Sequence, residues 1–243
     1  MDNYREDTYG ERVAGIYDDW YTDYEHAMIE VLEQLAQGGR ALELGIGTGR
    51  IALPLQAKGV PVDGIDASSA MIAKLRSKPG GDKIQVTLGN FADVAVDGQY
   101  ALIYVVFNTF FALLTQAEQI RCIANAARRL EPGGHFVVEA FMPDLSRFRG
   151  QQSLRVVSIG DNEVRLDASK TDPIAQQITS QHIMLTASGL QLYPVKIRYV
   201  WPTELDLMSR LAGFQLKQRW GDWNKSAFEV DSGKHISIYE HIP

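Results

Sequence analysis

The stretch Ala41-Leu42-Glu43-Leu44-Gly45-Ile46-Gly47-Thr48-Gly49-Arg50 decides how this chain is read. A short, mostly apolar strand runs into three glycines at spacing two, and an acid, Asp66, closes the next apolar run. Glycine lets the backbone take left-handed φ values and brings main-chain atoms against a ligand where a Cβ would intrude. A helix expected to begin near Gly49 points its unpaired N–H groups into the same crevice. Asp66 follows about 20 residues on, where a carboxylate accepts ribose hydroxyl protons. The pattern therefore predicts a nucleoside cradle and a ligand containing a ribose. It departs from the dinucleotide fingerprint, because Arg50 stands where G-x-G-x-x-G needs its third glycine. Glu43, set among apolar neighbours, calls for a cation or ordered donors, since a lone buried charge is costly.

Outward from this stretch the pattern alternates between helix and strand, as in a sheet covered by helices on both faces. Residues 8–37 read as N-terminal helices, with Met28, Ile29, Val31, Leu32 and Leu35 forming an apolar face and Gly38-Gly39 ending the run. Strands are expected near 40–45, 60–65, 84–88, 100–106 and 135–140. Ile120, Ile123, Ala124, Ala127 and Leu130 mark a helix before the last of these, stopped by Pro132-Gly133-Gly134. After Met142-Pro143 the period changes to two, which predicts two hairpins, 154–168 and 178–200, forming an antiparallel lid. Thr203 opens a further helix, and residues 214–220 and 235–241 read as two final strands.

S-Adenosylmethionine (SAM) satisfies both departures, having a ribose and a cationic sulfonium but no phosphate. Residues 42–49 resemble the first motif of the class I SAM-dependent methyltransferases, and Gly64-Ile65-Asp66-Ala67-Ser68-Ser69-Ala70-Met71 resembles their second. Leu88-Gly89-Asn90-Phe91 is similar to the segment that contacts adenine, and residues 130–139 to the helix end, turn and fifth strand. The resemblance spans roughly residues 10–142 and 198–241. It implies an α/β fold, a doubly wound, seven-stranded, mostly parallel sheet with its last strand antiparallel, here with an inserted antiparallel β lid. The expected divisions are an N-terminal helical cap (1–38), a SAM-binding core (39–142), the lid (143–201) and the C-terminal part of the core (202–243). It also implies a SAM site at Tyr17, Glu43, Gly45, Gly47, Gly49, Arg50, Asp66, Ala67, Met71, Asn90, Phe91 and Phe107, with S-adenosylhomocysteine as product. Asn90 stands where relatives place an aspartate, and its amide oxygen can still accept from the adenine amino group.

A sulfonium methyl is already activated, so positioning is the main requirement and no metal is called for. A base matters when the acceptor enters protonated. Ile16-Tyr17-Asp18-Asp19-Trp20-Tyr21 is rich in rings that either pack or bind, and the resemblance implies roles for Tyr17 at the methionine end and Tyr21 at the acceptor. Trp20, Asn108, Phe111, Phe141 and Arg198 are the candidate acceptor contacts. For Asn108 helix capping, and for Arg198 a solvated position, are the competing readings. His182 shares a strand face with Ser180 and Met184 and is the second candidate base, against a plain structural role.

The chain has 243 residues, 45% of them hydrophobic, and a formal net charge of -6. That balance offers no basic face to nucleic acid or anionic membranes and predicts a small-molecule acceptor. The acidic start and the absence of an apolar run of about 20 residues predict a cytoplasmic protein. Cys122 is read as a small filler in a helix. Monomer and homodimer both remain open. The expected activity is methyl transfer to nitrogen or oxygen of a secondary-metabolite-like molecule. The alternatives are a SAM-binding module without activity and a nicotinamide-dependent oxidoreductase.

Overall fold

In the computed structural model, which describes residues 3–241, the glycine stretch joins an inner strand of a seven-stranded sheet to its first crossover. Three short helices come first, α1 (Thr8–Val13), α2 (Tyr17–Trp20) and α3 (His26–Ala36). Then follow β1 (Ala41–Leu44), α4 (Ala52–Ala57), β2 (Val62–Asp66), α5 (Ser69–Arg76), β3 (Gln85–Leu88), β4 (Tyr100–Val105), α6 (Gln116–Arg129) and β5 (Leu130–Phe141). Strands β6 (Gln152–Ile159), β7 (Glu163–Asp172), β8 (Gln177–Thr186) and β9 (Gly189–Arg198) form a second sheet, and α7 (Pro202–Leu211), β10 (Phe214–Trp220) and β11 (Lys234–His241) return to the first.

The first sheet has the order β10-β11-β5-β4-β1-β2-β3. Strands β1 to β5 pair in parallel, and β11 runs antiparallel between β5 and β10. β1 is buried at all four positions, as a strand covered on both faces must be. The helices have identifiable local causes. Ser68 caps α5 by accepting from the Met71 N–H, and Thr115 with Glu118 forms a capping box on α6. Gln37, left-handed at φ 50°, ends α3 just before Gly38.

Three elements differ from the sequence expectation. α4 starts at Ala52 instead of near Gly49, because residues 45–51 are spent on the turn out of β1. α6 passes straight into β5 at Leu130, so Pro132-Gly133-Gly134 lies inside the strand, where the register with β4 shifts. The two expected hairpins are one four-stranded meander, since β7 and β8 also pair along their full length. Ile178, Tyr199 and Val200 at the base of this second sheet join the same core as Leu42, Ile103 and Phe136 of the first. No helix among the described residues is long and apolar enough to cross a membrane.

Candidate active site

The parallel strands end on one side of the sheet, and a cavity of about 270 Å³ lies there. Gly45, Gly47, Asp66, Ala67, Met71, Asn90 and Phe91 line its floor, and Tyr4, Tyr9, Gly10 and Tyr17 cover it. This is where open parallel sheets bind ligands. Gly45 has φ 73°, and a Cβ there would stand 2.3 Å from Thr109 Cγ2. Gly47 has φ 56° and nothing within 4 Å of the Cβ position, so its backbone faces open space. Gly49 serves a different end, because its missing Cβ makes room for Leu75 and Leu53.

Asp66 organises the floor. One carboxylate oxygen accepts the Gly47 N–H at 2.7 Å and the other the Ser68 N–H at 2.8 Å. Burial raises its pKa, and these N–H groups oppose the rise. Each oxygen keeps a lone pair for a ligand hydroxyl. Asn90 Oδ1 accepts from the Ala92 N–H at 2.9 Å, an internal bond that holds the side chain's position.

Glu43, next to last in β1, is buried, and burial pushes its carboxyl up to about 8, although Tyr104 donates to it at 3.1 Å. Arg50 is the nearby cation that pulls the other way. Its guanidinium lies over the Phe107 ring, 4.3 Å from the centroid, and donates to the Asp23 carbonyl at 2.9 Å. Its Nε is buried without a partner. A buried acid held protonated and an incompletely bonded guanidinium side by side suit a zwitterionic ligand end.

Phe107 and Asn108 both have left-handed φ values, 56° and 66°, strain that the surroundings must enforce. Glu139 accepts the Phe107 N–H, and Asn108 Oδ1 accepts the Phe141 N–H at 2.6 Å. Asn108 thus ties the end of β4 to β5 and caps no helix. Phe107 is thereby set edge to face with Tyr21 at 4.9 Å, and Tyr21 lies 4.9 Å from Tyr17. Tyr9 hydrogen-bonds with Tyr21, and burial raises its pKa far above the usual value while Tyr17 rises to about 12. Trp20 sits among Tyr193, His182 and the Arg165 guanidinium.

His182 faces inward from β8 with Tyr9 and Trp20 edge-on to its ring. Its Nδ1 is 3.7 Å from the buried Asp167 carboxylate. Burial lowers its pKa against the pull of Asp167, so the imidazole is neutral at pH 7.

Glu43, Gly49, Arg50, Phe107, Asn108, Trp20, Tyr21 and His182 stand behind or beside the cavity wall without lining it, and three further candidates are taken up by packing or pairing elsewhere. Phe111 is fully buried in the core, and Phe141 packs edge-on against it at 5.1 Å. Arg198 is neither solvated nor open to an anion. It is 6% exposed, paired with Glu204 at 2.8 Å and bonded to Gln119 and Gln176. Sequence reasoning missed Tyr9, Glu11 and Arg165, whose partners are remote in the chain.

The chain matches a methyltransferase domain family over residues 41–134. It is 38% identical to the CcbJ methyltransferase of Streptomyces caelestis, covering 99% of this chain and 100% of that one at a TM-score of 0.93. The chain belongs to the class I SAM-dependent methyltransferases. SAM is therefore the cofactor, and the open Gly47 backbone, the Asp66 lone pairs and the buried Glu43 fit its ribose and cationic end. The nicotinamide and inactive-module alternatives fall away for this methyltransferase. It is also 26% identical to the cypemycin N-terminal methyltransferase of a Streptomyces species over 204 residues, 84% of this chain and 83% of that protein. The SAM-bound amino pentose methyltransferase of Micromonospora echinaspora shares its fold at a TM-score of 0.70 and 20% identity, over 93% of this chain and 97% of that one.

Proposed function

We propose that this methyltransferase modifies an amine nitrogen of a small secondary metabolite seated between the Tyr9–Tyr17–Tyr21 cluster and the inner face of the β6–β9 sheet. The observation that carries this reading is the convergence of three tyrosines at the cavity, two of which form its cover. The raised pKa values of Tyr9 and Tyr17 keep these two hydroxyls protonated at neutral pH, so they act as hydrogen-bonding groups and not as bases. A tyrosine oxygen can accept an acceptor N–H and aim the lone pair inward. The ring faces of Tyr17, Tyr21 and Trp20 favour the ammonium cation formed on nitrogen.

Bound SAM supplies an electrophilic methyl group. Asp66 holds the ribose hydroxyls, Asn90 and Phe91 border the adenine, and Glu43, Arg50 and Tyr17 meet the methionine end. Neutral His182, oriented by Asp167, can accept a hydrogen bond from the ammonium so formed, whose proton passes to solvent on product release. The similarity to a methyltransferase named as an N-terminal one supports nitrogen over oxygen.

The test is incubation with SAM and a panel of small secondary amines and matched alcohols, read by mass spectrometry. The expected product is the singly methylated amine, and methylation confined to the alcohols overturns the reading. With an active amine, Tyr21→Phe should lower kcat while the SAM Kd stays within about twofold, on the expectation that positioning, not cofactor binding, is lost.

A further inference from the structure

The β6–β9 sheet has two faces, and the proposed acceptor site uses one. The opposite face carries Leu154, Val156, Ile159, Leu185, Leu190 and Leu192, all exposed, with Ile159 at 76%, Leu154 at 70% and Leu190 at 57%. Strand register gathers them into one patch. Val156, Leu166, Ile183 and Leu192 stand in one cross-strand row, and Ile159, Val164, Leu185 and Leu190 in the next. Neither row contains a charged residue, the composition found at the centre of stable interfaces and not on a solvated face. A sheet with one face on water ordinarily alternates with polar residues there.

We propose that this face is a homodimer interface, in which two copies stack their β6–β9 sheets about a two-fold axis. Its size suits that occupant. Four strands about 4.8 Å apart, with a rise of about 3.3 Å per residue, present a footprint of roughly 600 Å² over the whole face, with the apolar rows as its core and the end bearing Lys170 and Lys196 as its polar rim, close to the roughly 800 Å² per partner of a stable interface. The same face holds a hollow of about 500 Å³ edged by the protruding Leu154, with Ala168, Gln152, Lys170 and Gln181 in its lining. Projection and recess on one surface are what a self-complementary contact needs, and a two-fold stack covers both copies of the patch at once. Two sheets packed about 10 Å apart would bury these side chains as a β-sandwich does. Lys170 and Lys196 stand on this face at the end away from the two apolar rows, and two lysines on a chain of net charge -6 give an anionic lipid surface little hold. The interface braces from behind the strands that carry His182 and Asp167, and it stands independently of the acceptor assignment.

Light scattering and sedimentation equilibrium on the full chain test this. The expected mass is twice 27.1 kDa, or an even multiple of it, and Leu154→Glu with Leu192→Glu should halve it while SAM binding and far-UV circular dichroism are unchanged. A wild-type mass of 27.1 kDa at micromolar concentrations overturns the proposal and points to a different occupant. An unaltered mass in the folded variant overturns it too. Hydroxyl-radical footprinting of the wild type gives an answer even if the variant does not fold. Leu154, Leu190 and Leu192 should be protected relative to Ile174 and Val230, which are 95% and 105% exposed, and equal oxidation of all five refutes the interface.

Discussion

Glu43 sits near the end of β1 with two neutral donors, the Tyr104 hydroxyl and the Ala52 N–H, against its carboxyl, and the position is costly while the acid is ionised. Burial moves its pKa from 4.5 to about 8. The folded protein therefore holds this proton where the unfolded chain has released it. Its contribution to stability is greatest below pH 4.5 and falls as pH rises towards about 8. Glu43→Gln removes that dependence. In the ligand-free protein, the melting temperature of the variant should gain on wild type as pH goes from 5 to 8. A cation beside the carboxylate pulls its pKa back down, so saturating SAM should flatten the wild-type profile. Parallel melting curves for the two ligand-free proteins across this window would contradict the burial argument. The residue was conspicuous in the sequence because an acid in a four-residue buried strand has no cheap explanation. Its protonation was not legible, since that follows from complete burial, which outweighs the opposing pull of the Tyr104 hydroxyl and of Arg50, and the burial is made by elements remote in the chain.

At the scale of elements, α1 and α2 are latched onto the glycine turn and the start of α5. Glu11 accepts from the Ser68 and Ser69 hydroxyls and the Ala70 N–H. Asp18 accepts from the Thr48 hydroxyl at 2.6 Å and pairs with Lys78 at 2.8 Å. Gly10 permits the docking, because a Cβ there would lie 2.4 Å from Ser68 Cβ, two residues from Asp66. Gly10→Ala should lift α1 from the cavity and weaken SAM binding about tenfold or more, since overpacking of this kind costs about 1–3 kcal/mol. Glu11→Ala should weaken it less. Titration calorimetry reads both, and an unchanged Kd for Gly10→Ala would show that α1 is no part of the cofactor site. The helix–strand order of residues 40–141 was readable because apolar runs and turn residues are local signals. The latch was not, because Glu11 and the segment that donates to it are nearly sixty residues apart and each looks like an ordinary surface group. The second sheet was readable strand by strand. The β7–β8 pairing was missed because the turn between them is built by Asp172 Oδ1 accepting the Ile174 and Ala175 N–H groups, without the Asn-Gly or Asp-Gly pair that marks a short hairpin.

Across the whole molecule, the two sheets must keep a fixed relation if the cavity over β1 and β2 and the aromatic wall on β8 and β9 are to serve one reaction. Arg198 at the end of β9 supplies much of that rigidity. Its guanidinium meets Glu204 of α7, Gln119 of α6 and Gln176 of the β7–β8 turn, while Gln119 donates back to the Arg198 carbonyl at 3.0 Å. Glu204 also accepts from Gln116 and Gln176 at 2.8 Å. A strand alternating Arg198 with apolar neighbours reads as a solvated edge, and only the arrival of α6 and α7 makes the position a buried junction. Arg198→Met leaves a half-buried carboxylate and two glutamines short of a donor, so stability should fall by roughly 3 to 5 kcal/mol. Glu204 is shifted upward by burial and, more strongly in sum, downward by Arg198, Gln176 and Gln116, for a net lowering. A lowered carboxyl contributes stability above its unfolded pKa that is lost as pH falls through the folded value. The gap between wild type and Arg198→Met should therefore be wide at pH 7 and narrow towards pH 3 in chemical denaturation. A gap that stays constant with pH would mean that Arg198 stabilises by packing its stem, with the ion pair contributing nothing.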